Sequence, residues 1–112
     1  MATIYYLTWH HSGPTDHTEA SERFHEYHTE TPVALSEGEF AELYEVIGEY
    51  DADDPEDIWR AYNRGSGREA FEFLQKEIRS MSVGDIVEID GEYYMAASFG
   101  WNSIDIRGGD DQ

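Results

Sequence analysis

Apolar and polar residues follow two different periods along the chain, and the switches between them mark its elements. In Thr3-Ile4-Tyr5-Tyr6-Leu7-Thr8-Trp9 nearly every side chain is β-branched or aromatic. This predicts a first strand with Ile4, Tyr6 and Thr8 on one face, Tyr5, Leu7 and Trp9 on the other, and both faces covered. After the break HHSGPTDH, Asp16 and Glu19 have capping-box spacing ahead of a helix that aligns Ala20, Phe24 and Tyr27; Thr31-Pro32 ends it. The segment SEGEFAELYEVIGEYDAD supports two readings. Phe40, Leu43, Tyr44 and Ile47 fall at helical spacing behind a Ser36-x-x-Glu39 box, yet Tyr44-Glu45-Val46-Ile47 also suits a strand stopping at Gly48, so residues 40–48 stay open between the two.

The remaining elements are better marked. Asp54 at the N-cap and Pro55 at the first helical position predict a short helix that turns Ile58, Trp59 and Tyr62 inward. Past the breaker NRGSG, Ser66-x-x-Glu69 predicts another helix with Ala70, Phe71, Leu74 and Ile78 on one stripe. Asp85 to Ile89 and Glu92 to Ser98 read as strands joined by Asp90-Gly91, a two-residue turn that sets Ile89 opposite Glu92, Val87 opposite Tyr94 and Ile86 opposite Met95. After Phe99-Gly100-Trp101, Ser103 to Ile106 can return as a further strand. The expected fold is α+β, an antiparallel sheet of about four or five strands with helices packed on one face. One domain covers residues 1–107, with 108–112 a frayed tail. Trp59, Phe71, Leu74, Ile78, Ile86 and Val87 are the expected core.

Composition then narrows the function. The 112 residues include 25 acidic and 7 basic side chains, a net charge of −18, and Lys76 is the only lysine. Hydrophobic residues at 39% and aromatic ones at 14% nevertheless suffice for a packed core. Without cysteine there are no disulfides, thiolate metal sites or thiol nucleophiles. No apolar run suits a signal peptide or membrane span, so a cytoplasmic protein with no membrane partner is expected. Acids dot every segment, as in proteins adapted to molar salt, where an acidic surface is screened. They are densest from Glu37 to Asp57, ten acids with no basic residue, an array that could also imitate a nucleic-acid backbone. Direct nucleic-acid binding is not expected of such a surface.

The chain also resembles a known family. An N-terminal IYYL strand, PEDIWRAYN, SMSVGDIVEID and YYMAASFGW follow one another as in the small YodL-like domains. Those carry a short helix ending in an aromatic-Asn pair, a Ser-x-Ser-Val-x-Asp stretch opening a strand and a Ser-Phe-Gly-aromatic stretch closing the next. The resemblance spans most of residues 3–106, with its specific motifs in 57–63, 80–90 and 93–101. It implies an association with mobile-element proteins and an extended segment near residues 42–48, and it carries over no catalytic residue. This chain departs from the family in its acidity and in a longer helix at 66–79.

Candidate chemistry is sparse. His10, His11 and His17 precede the first helix, and His25 and His28, three apart on it, could share a metal ion. Glu22-x-x-His25 supplies half of a di-metal pattern whose second half is missing, so no cofactor is expected. Asp85 and Asp90 suit turns, and Ser80 and Ser82 suit caps and loop amides. Gly65-Ser66-Gly67 lacks the lysine of a phosphate loop. Tyr93, Tyr94, Phe99 and Trp101 sit on or beside the hairpin, the composition of a protein-binding hot spot unless they fill the core instead. The leading expectation is therefore a non-enzymatic protein-interaction module using those four aromatics. One alternative is an acidic DNA mimic acting through Glu42, Glu45, Glu49, Asp51 and Asp53; another is a small metal-dependent enzyme using His25 and His28.

Overall fold

A computed structural model describes residues 1–8, 18–76, 78–98 and 100–107. Its elements are β1 (Ala2–Leu7), α1 (Thr18–Tyr27), β2 (Ala34–Ser36), α2 (Glu37–Leu43), β3 (Tyr44–Tyr50), α3 (Pro55–Ala61), α4 (Phe71–Lys76), β4 (Ile86–Ile89), β5 (Glu92–Ala96) and β6 (Trp101–Arg107). The strands form one six-stranded sheet in the order β2-β6-β5-β4-β1-β3. The fold is α+β, and the sheet is mixed because β2 runs parallel to β6 while the other neighbours are antiparallel. β2 is only three residues long, too short to show an alternating pattern in the sequence.

The apolar pattern of β1 dictates two packed layers. Ala2, Ile4 and Tyr6, with Val87 and Ile89 of β4, meet Ile58, Ala61 and Tyr62 of the α3 region and Phe73 of α4. Leu7, with Ile86, Met95 and Ile104, meets Tyr27 of α1 and Leu43 of α2. Helices thus lie on both faces of the sheet and not on one as expected, and the sheet has six strands where four or five were expected; a first strand apolar on both sides needs a cover on each.

Both readings of residues 40–48 are realised in succession. Ser36 Oγ accepts from Glu39 N at 3.0 Å and Ser36 N donates to Glu39 Oε1 at 2.9 Å, closing the capping box that starts α2. Tyr44 then takes an extended conformation and β3 begins. Its pairing with β1 shifts register between Ile4, opposite Gly48, and Tyr5, opposite Val46. Ile47 is the extra residue of a β-bulge, which exchanges the faces of the side chains that follow it.

The hairpin forms in the register that Asp90-Gly91 predicts. Both turn residues have positive φ, 53° and 84°, which only this turn chemistry accommodates without strain. Asp54 caps α3 through Glu56 N at 2.9 Å, also as predicted. The proposed Asp16 cap, Trp9 and the 108–112 tail lie outside the described residues.

The helix expected from Ser66 is displaced, and with it part of the expected core. Ser66 Oγ instead accepts from Arg68 N and donates to Arg60 O, while Glu69 accepts from Gly65 N. Gly65 and Gly67 have φ of +91° and +83°, so this segment is a loop and the helix begins at Phe71. Ala70 N to Ala61 O and Met81 N to Tyr62 O, at 2.9 and 2.8 Å, fix where the chain crosses the sheet. Phe73 is consequently fully buried, whereas Phe71 is 75% and Leu74 50% exposed. Trp59 and Ile78 are half-buried at the margin of this layer, and Ile86 and Val87 are fully buried.

One buried ion pair joins β1 to the loop between α4 and β4. Asp85 is completely enclosed. Its carboxylate accepts from Arg79 Nη1 and Nη2 at 2.7 and 2.8 Å, from Leu7 N at 2.9 Å and from Ser82 N at 2.8 Å. Arg79 also donates to Leu7 O and lies 4.1 Å from the centre of the Tyr6 ring. Burial pushes the Asp85 carboxyl up, and the guanidinium and the two amides oppose that push. Next to it, Gly84 has φ +94°, a conformation that strains any residue with a side chain, and a Cβ there would stand 3.2 Å from Leu7 Cδ2, which would have to shift by a few tenths of an ångström.

Candidate protein-recognition surface

The α1 and α2 layer covers the sheet incompletely. Leu7, Ile86 and Met95 lie fully beneath it, but Thr3, Tyr5, Glu88 and Tyr93 on the same face are only half-buried. Strand register explains their grouping: Thr3 pairs with both Glu49 and Glu88, and Glu88 pairs with Tyr93, giving a row Glu49-Thr3-Glu88-Tyr93 across four strands. Phe40 of α2 sits between Tyr5 and Tyr93, with ring centroids 4.7 and 5.6 Å away, and the two tyrosines are 6.5 Å apart. Tyr5 Oη donates to Glu88 Oε1 at 3.3 Å.

Carboxylates border these rings. Burial pushes the Tyr5 phenol up to about 12, reinforced by Glu88, Tyr93 and Glu49. Burial also raises Tyr93, reinforced by Glu88 and Glu37. Three half-exposed rings inside a fringe of Glu37, Glu49 and Glu88 offer π-faces and negative charge to the same visitor. A guanidinium or ammonium group matches both: it stacks on a ring while donating hydrogen bonds to a carboxylate.

The phenols also set an alkaline limit on the fold. Tyr5 and Tyr62 are raised to about 12, and Tyr44 lies well above its ordinary value because of burial. A group with a raised folded pKa contributes stability that is whole below its unfolded value, about 10 for tyrosine, and is lost as pH climbs through the folded value. The buried phenols are therefore expected to ionise only as the sheet is lost, so that part of the phenolate absorbance rises together with the loss of ellipticity, above the ordinary tyrosine range. Complete ionisation near pH 10 with the sheet intact would contradict this packing.

The sequence candidates are distributed around the molecule. Tyr93 belongs to the surface just described. Tyr94 and Trp101 point to the opposite face, where Trp101 stacks edge-on against Trp59 at 6.1 Å and Tyr94 Oη donates to Glu92. Phe99 lies outside the described residues. Of the acids, Glu42, Glu49, Asp51 and Asp53 are exposed and Glu45 is half-buried. The bulge places Glu49 on the aromatic face, paired with Thr3, and leaves Glu45 on the other, paired with Tyr6. Ser80 Oγ accepts from Arg64 N at 3.0 Å, the loop-amide role expected of it.

The histidines assemble no metal site within this part of the chain. His25 and His28 are exposed on α1 and its C-terminal turn, and His28 Nδ1 lies 2.7 Å from the Phe24 carbonyl, so it carries hydrogen and donates. Among the described residues no three histidine or carboxylate side chains gather to hold a metal ion. His10, His11 and His17 lie outside those residues. A cleft of about 610 Å³ opens between the end of α1 and the β5–β6 end, with Tyr27, His28, Ser98 and Asn102 among its walls. Hydrogen bonds from Ser98 Oγ to His28 O and from Asn102 Nδ2 to Thr31 Oγ1 tie its two sides together.

Tyr5, Phe40 and Glu88 were not singled out from the sequence. Glu88 was within reach, because the turn-defined register that sets Val87 opposite Tyr94 also sets Glu88 opposite Tyr93. Phe40 was not, since its place depends on how α2 crosses the sheet. Comparisons of the chain with family models, with curated proteins and with solved structures give no match. No helix of the described residues is long and apolar enough to cross a membrane.

Proposed function

We propose that this protein is a recognition module that binds a cationic segment of a protein partner. The observation that carries this reading is the Tyr5-Phe40-Tyr93 cluster bordered by Glu37, Glu49 and Glu88. It keeps Tyr93 from the hairpin aromatics as a binding residue and moves the centre of the surface toward β1 and α2. A cytoplasmic, salt-adapted setting fits the spread of acids, and kinship with YodL-like domains belongs to the same proposal.

The test is titration with a short arginine-rich peptide across a range of KCl. Loss of a cation–π contact is worth about 0.5–2 kcal/mol, so Tyr93→Ala is expected to weaken binding roughly two- to thirtyfold. Glu88→Gln is expected to weaken it and to flatten its salt dependence. Affinity that follows net charge alone and ignores Tyr93→Ala would overturn the proposal. The ten acids between Glu37 and Asp57 favour a second reading, a mimic of the nucleic-acid backbone. In that case neutralising Glu42, Glu45 and Glu49 together abolishes partner binding, duplex DNA competes for the partner, and Tyr93→Ala has no effect.

A further inference from the structure

β3 is the last strand of the sheet on its side, and among the described residues no strand lies beyond it. Seven residues long, it presents a row of backbone amides and carbonyls directed away from β1, a template for another strand. Val46, in its middle, is 62% exposed. Within its seven residues β3 has no proline; its protections are one bulge and two glutamates, of which the charges repel only a strand of like charge.

The charges decide which strand can be added. A second copy pairing antiparallel about Ile47 would set Glu45 opposite Glu49 twice, and like charges directly opposite destabilise a sheet. A strand bearing basic residues at those positions turns the same contacts favourable. The bulge adds directionality, because Glu49 shares the face of Tyr5 and Thr3. A basic side chain opposite Glu49 therefore emerges beside the aromatic cluster, whereas a residue opposite Val46 meets an apolar neighbour.

From these features we propose that the partner segment is bound as a seventh strand along β3. It is an extended stretch alternating apolar residues with arginine or lysine, and at least one of its basic side chains reaches the Tyr5-Phe40-Tyr93 surface. This deepens the recognition reading above and rests on it. The edge supplies main-chain hydrogen bonds, and the carboxylates and rings supply selectivity, the division of labour usual in strand addition.

A random-peptide library displayed against the intact protein tests this, followed by amide hydrogen exchange of the complex with the enriched peptide. Enrichment of basic, alternating peptides is expected, with slowed exchange across residues 44–50. Methylating alternate backbone nitrogens on the side that faces β3 should weaken binding about tenfold or more, since each methyl group removes a main-chain hydrogen bond to the edge. If basic peptides bind with unchanged affinity when so methylated, strand addition is overturned while cationic recognition stands. If only acidic or neutral peptides are enriched, or none at all, both are overturned.

Discussion

Asp85→Ala is expected to lower the stability of the protein by about 3–5 kcal/mol, the usual effect of removing one partner from a buried ion pair. The carboxylate is wholly enclosed, and four donors converge on it. Its loss strands the Arg79 guanidinium beneath Tyr6 and leaves the amides of Leu7 and Ser82 without their acceptor. Typical domains have only about 5–15 kcal/mol of stability, so the variant should unfold at far lower urea. The pair with Arg79→Met distinguishes the causes. The double variant should be less destabilised than the sum of the two single ones, because the stranded charge is gone. It should still fall short of the parent, because two buried amides remain unpaired at about 1–3 kcal/mol each. Urea unfolding of the four proteins reads this directly, and an Asp85→Ala variant within about 1 kcal/mol of the parent would contradict the hub role.

A comparable loss is expected at Phe73 and not at Phe71. Phe73 is fully buried with its ring 5.2 Å from that of Tyr62 and the Arg64 guanidinium over it. Truncating it to alanine should cost about 3–5 kcal/mol, whereas Phe71→Ala, at an exposed position, should stay within about 0.5 kcal/mol. The contrast is sharp because the sequence pattern puts Phe71 on the core stripe and leaves Phe73 off it. Thermal or urea unfolding of both variants decides the phase of α4; a larger loss for Phe71→Ala than for Phe73→Ala would mean that the helix keeps the phase expected from Ser66.

This displaced helix shows where the sequence stops being legible. The capping box at Ser36 and that at Ser66 have the same spacing, but only the first closes on a helix. The second is preceded and interrupted by glycines whose positive φ takes the chain through a loop, and the hydroxyl and carboxylate bond within it. Local pattern cannot tell these outcomes apart, since the difference lies in backbone conformation. The hairpin, by contrast, was readable down to its partners, because a two-residue turn leaves one register. Residues 40–48 looked ambiguous because they hold a helix followed immediately by a strand.

The recognition surface was legible only in fragments. Tyr93 and the acidic stretch could be named, as could the Glu88–Tyr93 pairing. Their meeting with Tyr5 and Phe40 depends on β1 lying beside β4 and on α2 crossing above, both long-range choices. The hairpin aromatics divided between two faces for an elementary reason: adjacent residues Tyr93 and Tyr94 in a strand point to opposite sides.

The most direct test of cationic recognition is a nuclear magnetic resonance titration of the intact protein with an arginine-bearing peptide, observing contacts between peptide side chains and aromatic rings. Cationic recognition requires that the arginine methylene protons shift upfield and show cross-relaxation to the rings of Tyr5, Phe40 and Tyr93. Contacts confined to Tyr94 and Trp101, or perturbation limited to the acids around Asp51 and Asp53 with no ring involved, would contradict it.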